Sequence, residues 1–153
     1  MGSKRSPRFS LCAIKNSGSA CRLKGMSNIR IEHAAVYVHD LEAMREFYQT
    51  YFGAKANDQY HNPTTGLRTY FLTFGSGARL EIMNRPGVDV PQQPQQVGWA
   101  HVAFSLGSRE AVDKLAQTLT DAGFTVSPPR VTGDGYYEAV VQDPEGNAIE
   151  ITA

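Results

Sequence analysis

An internal repeat constrains this chain more than any other feature. His33 sits in an apolar, β-branched stretch, and His101 sits in a second such stretch 68 residues later. Each is followed after seven residues by a helix-capping residue, Asp40 and Ser108. Glu81 lies 48 residues after the first His, and Glu150 lies 49 after the second. A period of this length is too long for a solenoid and predicts a duplicated βαβββ module.

Local signals within each copy agree with that plan. Ile29–Val38 reads as a buried strand. Asp40 caps a helix carrying Leu41, Met44, Phe47, Tyr48 and Tyr51 at helical spacing, which Gly53 ends. Ala54–Tyr60 predicts a short strand. Leu67–Phe74 and Ala78–Asn84 predict a hairpin around Gly75-Ser76-Gly77, after a turn that includes His61. The second copy repeats this with a strand over Gly98–Leu106 and a Ser108-capped helix bearing Val112, Leu115 and Leu119. Its hairpin runs over Tyr136–Gln142 and Ala148–Thr152, around Asp143-Pro144-Glu145-Gly146-Asn147. Module one is thus expected over 28–85 and module two over 97–153, with a Pro- and Gln-rich connection or lid between them.

Charge separates the modules from what precedes them. The chain has 15 basic and 15 acidic residues in 153, but Lys4, Arg5, Arg8, Lys15, Arg22 and Lys24 meet no acidic residue before residue 26. Both cysteines, Cys12 and Cys21, are also there. Residues 1–27 read as a disordered or non-native basic extension, or alternatively as a native tail or organelle transit peptide. The cysteine-free body excludes a disulfide framework, a Cys nucleophile and a Cys-ligated zinc site. A net charge of zero and the lack of any long apolar run predict no nucleic-acid partner and no membrane span. Cytoplasmic localisation is the expectation.

The His and Glu residues carry the chemistry. A single strand His usually serves as a hydrogen-bonded core residue, and a single strand Glu usually faces water. Four at matched repeat positions are different. A carboxylate on an inward strand face costs several kcal/mol unless it is paired, solvated or metal-bound. Two imidazoles and two carboxylates make a mixed N/O donor set suited to Zn, Ni, Fe, Mn or Co. Same-face neighbours Tyr37, Met83 and Trp99, with Tyr136 nearby, are candidate substrate contacts.

The segments IEHAAVYVHDLEAMREFYQTYFGA, ARLEIM, GWAHVAFSLGS and DPEGNAIEIT resemble the vicinal oxygen chelate superfamily. That superfamily includes glyoxalase I, bleomycin-resistance proteins, methylmalonyl-CoA epimerase and extradiol dioxygenases. The resemblance implies an α+β fold, with two βαβββ modules forming a curved mixed sheet around one divalent metal. By the same resemblance His33, Glu81, His101 and Glu150 are the ligands. Glu150 is the first choice of catalytic base, with Glu81 as its counterpart across the metal. Filling of all four positions favours a glyoxalase-like isomerase or lyase that removes a proton next to a carbonyl of a small substrate. A dioxygenase or transferase on this scaffold, or a non-catalytic binding protein, is the alternative. Tyr37 stands where glutathione-using relatives commonly carry an Arg, so glutathione dependence is doubtful; Arg68, Arg79, Arg85 or Arg130 could substitute. A homodimer is expected, with modules paired within one chain or across the dimer.

Overall fold

The computed structural model describes residues 30–91, 93 and 97–153. The expectation for residues 1–27 therefore lies outside the described residues, as does the middle of the connection between modules.

Module one opens with β1 (His33–Tyr37) and α1 (Leu41–Phe52). Asp40 is extended, and its carboxylate accepts from the backbone N–H of Glu42 and Ala43, which would otherwise lack partners at a helix start. Gly53 ends the helix at φ 64°, a left-handed conformation that a β-carbon disfavours. Leu41, Met44, Phe47 and Tyr48 form the buried face. Then follow β2 (Lys55–Ala56), β3 (Tyr60–His61), β4 (Arg68–Thr73) and β5 (Arg79–Asn84).

Module two repeats the order with β6 (Val102–Ser105), α2 (Arg109–Asp121), β7 (Arg130–Val131), β8 (Tyr137–Gln142) and β9 (Ala148–Thr152). Ser108 caps α2 through the N–H of Ala111. Ala116 joins Val112 and Leu119 on the buried face of α2, while Leu115 is only half-buried.

Each module builds its own mixed sheet. The first has the order β1-β5-β4-β2, with β3 also on β4; the second has the order β6-β9-β8-β7. The pairs β1–β5 and β6–β9 are parallel, and the other ladders are antiparallel. A parallel pair needs a crossover between its strands, and the α-helix with the outer strands supplies it. One face of each sheet packs on its helix: Tyr70, Leu72, Leu80 and Ile82 beneath α1, and Ala139, Val141, Ile149 and Ile151 beneath α2.

The two modules also pack on each other, through aromatic rings on the helix sides. Phe124 meets Phe47 at 4.9 Å and Tyr51 at 5.4 Å between ring centres. Phe104 meets Phe52 at 4.9 Å and Phe74 at 4.8 Å. Glu145, from the β8–β9 turn, also joins the modules by accepting the backbone N–H of His39 and Asp40 at the entrance to α1.

Two expectations shift in the detail. The sixth strand starts at Val102, so Trp99 and His101 precede it. Residues 60–61, expected at a strand end and in a turn, pair with β4 across Thr69 and Arg68.

Candidate metal centre

Strand register places the four candidate donors. Ala35 pairs with Glu81, and Ala103 pairs with Glu150. Side chains alternate along a strand, so His33, Ala35 and Tyr37 share a face with Arg79, Glu81 and Met83. That face is opposite the one that packs on α1. His33 Nε2 lies 3.8 Å from Glu81 Oε2, and His101 Nε2 lies 3.1 Å from Glu150 Oε2. The structure therefore brings the donors together as two His–Glu pairs, one per sheet. Among the described residues no three His, Cys, Asp or Glu side chains converge as a single metal cluster.

The pairs are not ordinary surface ion pairs. The Glu81 and Glu150 side chains are only 16% and 20% exposed, while their histidines are about 40% exposed. Among the described residues neither carboxylate has a Lys or Arg within ion-pair distance. A shielded carboxylate facing only an imidazole is poorly compensated unless a cation joins it. Imidazole nitrogen and carboxylate oxygen suit a borderline divalent ion, so the residues present fit such a group.

The surroundings of the two pairs differ. Glu32, just ahead of β1, takes a hydrogen bond at 2.5 Å from His33 Nδ1 and an ion pair at 2.5 Å from Arg79. The His33 bond, and then Arg79, hold the Glu32 carboxyl below the usual carboxylate range, against some opposing desolvation. The Arg79 guanidinium lies 4.1 Å from the centre of the Phe71 ring, and that ring meets His33 edge-on at 5.3 Å.

Of the candidate substrate contacts, Tyr37 and Met83 lie on the donor face of the first sheet. Trp99 and Tyr136 lie just outside β6 and β8 and are 88% and 57% exposed. Two nearby tyrosines turn away from the donors. The Tyr70 hydroxyl donates to Glu42 of α1, and that of Tyr137 donates to Asp113 of α2. Among the candidate arginines, Arg79 shares the donor face, and Arg130 pairs at 3.3 Å with Glu138, beside the strand that carries Glu150. Arg68 instead bonds Asn84, whose amide reaches the carbonyls of Val38 and His39.

Residues 30–151 match the Glyoxalase/Bleomycin resistance protein/Dioxygenase superfamily. The chain belongs to this superfamily. An uncharacterised protein of Pseudomonas aeruginosa is 32% identical over 125 residues, covering 80% of this chain and 86% of that protein. A probable lactoylglutathione lyase of Vibrio cholerae is 30% identical over 131 residues, covering 82% and 91%. Among solved structures, a glyoxalase family protein from Enterococcus faecalis superposes with a TM-score of 0.69 at 25% identity, covering 81% of this chain and 97% of that one. The duplicated α+β architecture expected from the sequence is the glyoxalase superfamily fold.

Sequence reasoning missed Glu32, Phe71 as a ring against His33, and Glu145. Adjacent strand residues point to opposite faces, which hides a Glu32–His33 contact. Glu32 escapes that rule because β1 begins one residue later. Glu145 reads as an ordinary turn residue, and nothing local links it to residue 39.

Proposed function

We propose that this glyoxalase-superfamily chain is a metal-dependent isomerase or lyase acting on a small carbonyl substrate. The observation that carries the reading is the matched pair of shielded, otherwise uncompensated carboxylates, each facing an imidazole at the same register in its module. A divalent ion held by His33, Glu81, His101 and Glu150 would supply Lewis-acid polarisation of the substrate oxygens. Glu150 takes the proton from the carbon next to the carbonyl and delivers it to the neighbouring position. Glu81 holds the opposite side of the centre. Tyr37 and Met83 bound the substrate on the first sheet. The likeness to a probable lactoylglutathione lyase supports lyase chemistry, while Tyr37 argues for a thiol conjugate or other small carbonyl compound in place of glutathione itself.

The same reading includes a homodimer. Within one chain the modules contact each other through their helix sides, and the donor faces point elsewhere. A His33–Glu81 pair of one copy facing a His101–Glu150 pair of another completes a four-donor centre, with two centres per dimer.

Metal analysis of purified protein, followed by a screen over hemithioacetals, acyl-CoA esters and catechols, tests this. Stoichiometric divalent metal, a dimeric mass by light scattering, and turnover without oxygen uptake are expected. Obligate Fe(II) with oxygen consumption points to the dioxygenase alternative, and protein that takes up no divalent ion overturns the reading.

A further inference from the structure

The two half-sites share donors and register but not support. Glu32, His33, Arg79 and Phe71 form a closed ring of contacts. His33 Nδ1 bonds Glu32, Glu32 pairs with Arg79, Arg79 lies over Phe71, and Phe71 meets His33 edge-on. The backbone reinforces it: Arg79 is the β5 partner of His33, and its N–H donates to the Glu32 carbonyl at 2.9 Å. The repeat identifies the counterparts. Ala100 precedes His101, Ala148 lies two before Glu150, and Val140 stands across from Glu150 as Phe71 does from Glu81. None of these three can accept a proton, carry a charge or stack a ring.

We propose that Glu32 and Arg79 are positioning residues that fix the tautomer and direction of His33, making the first half-site the rigid one. A carboxylate can only accept here, so the hydrogen of the neutral ring sits on Nδ1. The lone pair is then at Nε2, the atom directed toward Glu81. Arg79 anchors Glu32 from its other oxygen, and Phe71 holds the planes of both the guanidinium and the imidazole. A histidine held this way loses less orientational freedom when Nε2 takes a ligand. Among the described residues His101 has only Glu150 within ion-pair distance and must be ordered when the site fills. The proposal rests on His33 and Glu81 being donors.

The ring is about half-exposed, with Glu32 at 50% and Arg79 at 36%. Exposed ion pairs contribute little to stability, so substitution should redirect His33 without unfolding the chain. The test uses full-length protein labelled with ¹⁵N at histidine and stripped of metal, at a pH where the rings are neutral. Wild type should show His33 as the Nδ1–H form. In Glu32→Ala, His33 should move toward the Nε2–H form while His101 signals stay in place. Zinc affinity, read by competition with a chelator, should fall by about 10- to 100-fold. Glu32→Gln, which keeps an acceptor oxygen but no charge, should fall between wild type and Glu32→Ala. It also carries the test if Glu32→Ala fails to fold. Unchanged His33 signals, or unchanged zinc affinity, in a folded variant overturn the proposal. If wild type binds no zinc but the His33 tautomer still follows Glu32, the metal reading falls and the positioning of His33 stands.

Discussion

Module one and module two follow the same plan yet differ wherever side chains meet. Both have a capped helix over a mixed sheet and a parallel first and last strand bearing His and Glu at one register. Module one surrounds its His with Glu32, Arg79 and Phe71, whereas module two has alanines and a valine there. Module two instead supplies the joints between the halves: Phe104 inserts among the rings around α1, and Glu145 caps its entrance. A duplicated fold thus keeps what its backbone ladder requires and lets facing side chains specialise.

The sharpest test of that inequality is the pair of carboxylates. Glu150→Gln is expected to lower kcat by about 10²- to 10⁴-fold, the usual loss of a general base. Glu81→Gln should mainly weaken metal binding. Steady-state kinetics with metal titration separates the two, and equal effects on kcat would break the comparison.

Next in size is the aromatic joint. Phe104 lies three residues after His101, where module one has Val36. Phe104→Ala should cost about 3 kcal/mol, since it empties space between the modules. Val36→Ala should cost roughly 1 kcal/mol. Urea unfolding of both variants measures the gap.

Glu145 gives a smaller effect. Glu145→Ala removes the acceptor for two backbone N–H groups at the start of α1 and should cost about 1 kcal/mol, in the range of a lost cap. Loss of helicity confined to α1, followed by hydrogen exchange, would mark the site of the damage.

The smallest effect is a pH dependence. The His39 imidazole bonds Glu145 and the carbonyl of Asp89, and these raise it above its ordinary 6.5. Burial pushes Glu145 up, but the N–H groups of Asp40 and His39 and then the His39 ring outweigh it, leaving it below 4.5. The His39 contribution is full below pH 6.5 and is lost as pH rises through its raised value. The Glu145 contribution is present above pH 4.5 and is lost as pH falls through its lowered value. Their pairing is therefore strongest between those limits. His39→Gln should flatten the decline in thermal midpoint on the alkaline side and leave most of the acid side in place, where the N–H groups of Asp40 and residue 39 still hold Glu145 low.

Much of this was legible in the chain because it depends on short-range rules. Asp40 and Gly53 bound α1 as their chemistry requires, and alternation put Tyr37 and Met83 on the faces of His33 and Glu81. Other features were not legible. Strand β7 is only two residues long, too short to show a period. The Tyr70 and Tyr137 hydroxyls belong to helix contacts that no strand pattern reveals. Glu145 reaches residue 39 across 106 positions, a distance that local sequence cannot encode.

The duplication, the element types and the four candidate donors were readable from the chain, because hydrophobic period, capping and repeat spacing are properties of neighbouring residues. The folded structure decided that the candidate donors stand as two separate pairs, that among the described residues only the first pair is braced, and that the modules join through their helix sides. Those outcomes depend on which side chains meet across strands and modules, and such contacts exist only once the chain has folded.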